Sequence, residues 1–205
     1  MGISRTNSSI IGGLFLLVVL ALSQELSGQG RYESLIIRTE SGDIYVKLDL
    51  GKAPVTSANF LRYADAGLFK DACFYRVVRM DNQPHDSVFI EVIQGGRYEK
   101  EDNGFPPIAH ETTRSTGIRH KDGTISMART VPGSATSEFF ICVGDQPELD
   151  FGGRRNRDGQ GFAAFGRVTK GMDVVRKIHS IAAPGQYLEK PVRIIEISRA
   201  SGQHP

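Results

Sequence analysis

The stretch Leu35-Ile36-Ile37-Arg38-Thr39-Glu40-Ser41-Gly42-Asp43-Ile44-Tyr45-Val46-Lys47-Leu48-Asp49-Leu50 decides the fold class. Ile44, Val46, Leu48 and Leu50 fall at every second position with Tyr45, Lys47 and Asp49 between them, the period of a strand with one buried face. Ser41-Gly42-Asp43 supplies the turn from the apolar run before it, so the segment reads as a hairpin of half-buried strands. Short apolar runs then follow from Cys73 to Val78, Val88 to Ile93, Thr124 to Ala128, Phe139 to Val143 and Phe162 to Val168, separated by turns such as Asp122-Gly123. Val192 to Ile197 alternates again as a closing strand. Strands at this spacing predict a mainly β domain, either a sandwich or a barrel. Two helices interrupt them. Pro54 opens Val55 to Ala66, with Val55, Ala58 and Leu61 at helical spacing and Gly67 just past the end; Gly171 to Ile181 places Val174, Val175 and Ile178 on one face.

The chain of 205 residues is 40% hydrophobic and 23% charged, the composition of one globular domain with a core of useful size. Its 25 Lys and Arg against 23 Asp and Glu leave a net charge of +2, so no global field recruits nucleic acid or anionic lipid. Residues 1–23 read as a secretory signal peptide: Arg5 in a polar start, an apolar run from Ile10 to Leu22, and small residues Ala21 and Ser23 before Gln24. The run is shorter than the ~20 residues that span a bilayer, which favours a cleaved leader over an uncleaved anchor. Residues 24–31 then form a short linker, 32–199 one domain and 200–205 a tail. The mature chain is expected in a periplasmic or extracellular space, free of the membrane. Cys73 and Cys142 lie within apolar runs, and two core thiols are expected rather than a bridge.

The five histidines offer no metalloprotease spacing and no partnership with the two cysteines, so no metal is expected. Ser134 lacks the flanking glycine of a nucleophile elbow, because Thr136 stands at the second glycine position. The Gly- and Arg-rich run from Gly152 to Gly161 has neither a following helix nor a Lys-Ser/Thr pair, and reads as a solvated loop between strands. What stands out is Arg76 inside the apolar Phe74-Tyr75-Arg76-Val77-Val78, since arginine is rarely buried without a partner or a task. Alternation in Phe139 to Val143 puts Phe139, Ile141 and Val143 on one face and Phe140 and Cys142 on the other, leaving Phe140 to line an outer groove if the first face fills a barrel.

Several ordered motifs together resemble the cyclophilin family of peptidyl-prolyl cis-trans isomerases, in particular its short secreted bacterial type. They are Phe74-x-Arg76-Val77-Val78, Ile93-Gln94-Gly95-Gly96, Ile125-Ser126-Met127-Ala128-Arg129, Ser137-Glu138-Phe139-Phe140-Ile141, Leu149-Asp150 and Phe165-Gly166-Arg167-Val168, spread from about Tyr32 to Ile197. The resemblance implies a closed eight-stranded antiparallel β-barrel capped by two α-helices, with the active groove on its outside. It implies that Arg76 is catalytic, that Gln94 hydrogen-bonds the peptide, that Phe140, Leu149, Val92 and Phe162 wall the proline pocket, and that Ala128, Arg129 and Glu138 meet the substrate strand. Arg129, Glu138, Val92, Phe162 and Glu148 depart from the family's usual Asn, Gln, Met, His and aromatic residue. The insertion around Met80 to Val88 lengthens the connection between Arg76 and Gln94, with Phe89 a candidate wall aromatic. The implied activity is isomerisation of X-Pro bonds in exported polypeptides, by a monomer without cofactor; the alternative is a non-catalytic proline-peptide-binding or scaffold module on the same fold.

Overall fold

The computed structural model describes residues 31–98 and 104–200. The leader read at 1–23 and most of the linker and of the tail lie outside these residues. The chain divides after Arg31, and the unit from Tyr32 onward holds every element below. Eight strands, β1 (Tyr32–Thr39), β2 (Gly42–Asp49), β3 (Ala72–Val78), β4 (Val92–Gly96), β5 (Thr124–Met127), β6 (Phe139–Cys142), β7 (Ala163–Lys170) and β8 (Tyr187–Arg199), close in the order β1-β2-β7-β5-β6-β4-β3-β8. Every pairing is antiparallel, and β1 pairs with β8 to shut the barrel. Closure removes exposed edges, which is how an all-antiparallel sheet avoids pairing with other chains.

The hairpin periodicity holds residue by residue: Leu35 and Ile37 on β1, and Ile44, Val46 and Leu48 on β2, are buried within the barrel. The centre is aromatic. Phe139 sits 5.2 Å from Phe60, 5.6 Å from Phe74 and 5.9 Å from Phe69, each edge to face, the arrangement that ring quadrupoles favour. Helices α1 (Pro54–Asp65) and α3 (Met172–His179) cap this core with Phe60 and Tyr63, and with Val175 and Ile178. Between them lies α2, a single turn at Thr113–Thr116 that the sequence pattern does not announce.

Two local expectations are corrected. Val55 and Ala58 of α1 are exposed, whereas Thr56, Ser57 and Asn59 are buried, because each polar group finds a partner in the fold. Asn59 Nδ2 donates to the Thr136 carbonyl at 2.6 Å, and Thr56 donates to Glu111, whose carboxylate also accepts the N–H groups of Val55 and Thr56. A carboxylate placed there satisfies orphan donors and meets the positive end of the helix dipole. The second correction concerns the run Val88 to Ile93. Strand β4 begins only at Val92, because Gln83 captures the backbone before it: its amide accepts from Ile90 N–H at 3.2 Å and donates to Ile90 C=O at 2.9 Å. The insertion is thus ordered by a buried glutamine side chain.

A disulfide between Cys73 and Cys142 is out of reach. Cys73 opposes Gly96 and Cys142 opposes Val92 across β4, which separates them by roughly 10 Å across the sheet and about 13 Å along it. Bridged cysteines have Cα atoms within about 7 Å. At the junction of β7 and α3, Gly171 has φ +95, and a Cβ there would collide with the Asp43 carbonyl oxygen. Gly171→Ala is therefore expected to cost roughly 1–3 kcal/mol, visible as a lowered Tm.

Candidate active site

A bulge in β3 and two loops build a groove on the outer wall of the barrel. In β3 the register against β4 slips between Phe74 and Arg76, so Tyr75 is an extra residue. The bulge keeps Phe74 and Val77 in the core while both Tyr75 and Arg76 face outward. Arg76 opposes Gln94 on β4, and Gln94 opposes Phe140 on β6, so three neighbouring strands line up the cation, the amide and the ring.

Phe140, Val92, Leu149, Ile90, Val78 and Cys142 form an apolar cluster separate from the core, with Ala128 and Phe162 packed against it. It confirms the alternation read from Phe139 to Val143. Phe140 meets Phe162 edge to face at 5.2 Å. A cavity of about 240 Å³ opens over this cluster, lined by Arg76, Gln94, Val92, Phe140, Leu149, Phe162, Ala128 and Arg129, and also by Ile90, Arg155 and Asn156. Eight of the nine site residues expected from sequence thus come together. The ninth, Glu138, lies behind Tyr75, whose hydroxyl donates to its carboxylate at 2.7 Å. Phe89 is exposed, and Ile90 stands on the wall in its place.

Below Phe140 the ring of His120 is stacked at 5.9 Å and held from both sides, with one nitrogen 2.9 Å from Asp150 Oδ1 and the other 3.0 Å from the Ser126 hydroxyl. Serine, histidine and carboxylate resemble a hydrolase triad in order. Ser126 and His120 are 0% and 1% exposed, so the trio supports the pocket floor and meets no substrate. Asp150 also accepts His120 N–H at 3.1 Å and Arg119 at 3.3 Å. Burial pushes its carboxyl upward, but the hydrogen bonds from His120 outweigh this and bring it below the usual carboxylate value.

The run Gly152 to Gly161 is more than a solvated loop. Arg155 donates to Val88 C=O at 2.7 Å and lies 3.1 Å from Asp86, tying the loop to the insertion. Arg129 reaches the loop from the other side, donating to Gly161 C=O at 2.6 and 2.9 Å and to both Asp158 oxygens, with its guanidinium 5.3 Å from the Phe162 ring centre. These bonds lower the Asp158 pKa to about 2. Asp150 and Asp158 both have pKa values depressed in the fold. Their contribution to stability is complete above the ordinary carboxylate pKa near 4 and lost as pH falls through the folded values. Tm is therefore expected to fall between about pH 4 and pH 2, with a shallower fall in Asp158→Asn.

Arg76 is held by two carbonyl oxygens. Its Nη1 donates to Gln94 Oε1 at 2.9 Å, and its Nε and Nη2 donate to Gln186 Oε1 at 3.1 and 2.5 Å. Gln94 Nε2 donates in turn to the Tyr75 hydroxyl at 2.6 Å, so both ends of that amide have protein partners. Burial pushes the Glu138 carboxyl upward against the hydrogen bond from Tyr75, and pushes the Tyr75 phenol upward as well. Sequence patterns alone carry no signal for Tyr75, Gln186 or Arg155, because a register slip and two long-range loops bring them here.

The sequence pattern described as Cyclophilin type peptidyl-prolyl cis-trans isomerase/CLD matches residues 34–201. Peptidyl-prolyl cis-trans isomerase A of Dickeya dadantii is 37% identical over 81% of this chain and 82% of its own length. Peptidyl-prolyl cis-trans isomerase B of Escherichia coli is 39% identical over 70% of this chain and 82% of its own. A crystal structure of a Cryptosporidium parvum cyclophilin type isomerase superposes with a TM-score of 0.68 at 19% identity, over 84% of this chain and all of that one, which shows the shared fold. A closed barrel with an outer apolar groove, a match across nearly the whole described domain and relatives of this identity lead to one conclusion: the chain belongs to the cyclophilin-type peptidyl-prolyl cis-trans isomerases.

Proposed function

We propose that the groove seats the proline ring of an X-Pro segment against Phe140, Phe162, Leu149 and Val92 while Arg76 stabilises the amide as it twists. The observation that carries this reading is the position of Arg76, a cation clamped beside the apolar cluster that floors the cavity. Rotation about the peptide bond costs ~18–20 kcal/mol because it breaks amide resonance. At the twisted geometry the proline nitrogen turns pyramidal and gains a localised lone pair. An N–H of Arg76 aimed at that nitrogen interacts weakly with the planar amide and strongly with the twisted one, which lowers the barrier rather than merely tightening binding. Burial pulls the guanidinium below its ordinary pKa, yet arginine remains charged in proteins, so the donor is constant across working pH. Gln94 serves this cation directly, and the backbone of Ala128 and Arg129 offers the strand-like surface along which a peptide lies.

The secretory reading of residues 1–23 supports a role on exported polypeptides, with Gln24 as the first mature residue and a monomer sufficient for the chemistry. Titration of the isotope-labelled protein with a short Ala-Pro peptide is expected to move the amide resonances of Val92, Gln94, Phe140 and Phe162. Shifts confined to a separate, basic depression beside Lys47, Lys52 and Arg167 would refute the groove as the peptide site.

A further inference from the structure

We propose that Gln186 is the positioning residue of Arg76, a role that rests on the reading of Arg76 given above. Its Oε1 accepts from both Nε and Nη2 of Arg76, while Gln94 takes one N–H of Nη1. Three of the five guanidinium N–H groups are thereby committed, leaving one on each terminal nitrogen for the groove. A flat guanidinium gripped along its side edge and at one corner cannot swing about its long stem, so most of the ordering that the twisted amide requires is complete before substrate arrives.

The amide of Gln186 is itself oriented. Its Nε2 donates to Asn82 C=O at 3.0 Å, which turns Oε1 toward Arg76. Asn82 is 4% exposed and fully engaged, donating to Val77 C=O and Ala183 C=O and accepting from Arg79 N–H. The backbone joins in, since Val77 N–H donates to Gln186 C=O at 2.8 Å and so ties the residue beside Arg76 to this turn.

A second observation points the same way. Gln186 has φ +70, in the left-handed region where a side chain is costly, although Gly185 stands next to it without a positive φ. The turn Pro184-Gly185-Gln186 thus puts its strained position on a long polar residue and not on its glycine. Strain retained at such a site is accounted for when the side chain has a task that glycine cannot perform. Among the described residues the Gln186 carbonyl oxygen Oε1 accepts only from Arg76, through Nε and Nη2.

The test compares the parent protein, Gln186→Gly, Arg76→Ala and the double variant on one X-Pro peptide by exchange NMR. Gln186→Gly removes the acceptor and the backbone strain together, so it is expected to fold with a Tm close to the parent while the isomerisation rate falls about tenfold or more and peptide affinity stays within about twofold. In the Arg76→Ala background the same change should have no further effect, because its influence passes through the guanidinium. Gln186→Asn, which tolerates the left-handed backbone but is one methylene too short, serves if the glycine variant folds poorly and should show the same loss. Full activity of Gln186→Gly beside an inactive Arg76→Ala would overturn the proposal while sparing the role of Arg76. Equal losses in both backgrounds would overturn it as well, by marking Gln186 as structural. Near-parental activity of Arg76→Ala would bring down the reading of Arg76, and this one with it.

Discussion

Arg76→Ala is expected to lose on the order of 10²- to 10³-fold in isomerisation rate while its fold and peptide affinity change little, the scale found when a preorganised donor is removed from a transition state. Three features make the expectation large. Among the described residues Arg76 pairs with no carboxylate and keeps one N–H on each terminal nitrogen beside the apolar wall, whereas Arg129 is bound to both oxygens of Asp158 and Arg155 is paired with Asp86. It is also partly buried, where a hydrogen bond to developing charge is stronger than in water. Its two carbonyl partners lose little when it goes, because Gln94 and Gln186 keep their bonds to Tyr75 and Asn82. Thermal melting alongside the rate separates the two effects: an unchanged Tm with a collapsed rate fits, whereas equal falls in both would assign Arg76 to folding.

Phe140→Ala should produce the opposite signature. Phe140 is 3% exposed, meets Phe162 edge to face and lies flat against His120, so its removal opens a cavity in the wall cluster. Deletions of buried phenylalanine cost about 3–5 kcal/mol, which for a domain of this size lowers Tm by roughly 10 °C. On the proposed reading the proline ring loses its main contact as well, so peptide binding is expected to weaken along with the rate. Phe140→Leu, which restores most of the volume, should recover most of the Tm and part of the binding. Calorimetry and a peptide titration on the two variants check this. A Phe140→Ala protein that melts like the parent would mean that the cluster over His120 does not carry the wall.

The difference between these variants reflects what was legible in the chain. Period-two alternation in Ile44 to Leu50 and in Phe139 to Val143 is a local property, and it places strands and separates core from outer face from the sequence alone. Barrel closure was not local: spacing allowed a sandwich equally well, and only the ordered motifs resembling cyclophilins favoured the barrel. The resemblance also assigns Arg76, Gln94, Phe140, Leu149, Phe162, Val92, Ala128 and Arg129 to one site, and all eight line one cavity. The structure departs from the pattern where polar side chains take over backbone duties, as Gln83 does at Ile90, or are buried on a helix face, as around Asn59 of α1. Gln186 and Arg155 carry no local signal because loops far apart in sequence bring them to the groove, and alternation counted from Phe74 turns Arg76 inward where the one-residue bulge at Tyr75 turns it out.

The central claim is that this groove accelerates rotation rather than only binding proline, and exchange NMR tests it most directly. The cis and trans resonances of a short X-Pro peptide interconvert over tens of seconds or longer unaided. With a small fraction of the protein present, exchange cross-peaks between the two forms are expected on a sub-second timescale, and they should vanish when Arg76→Ala is substituted at equal concentration. Peptide resonances that shift on binding with no exchange cross-peaks in either sample would contradict the account and leave a proline-binding module on an isomerase fold.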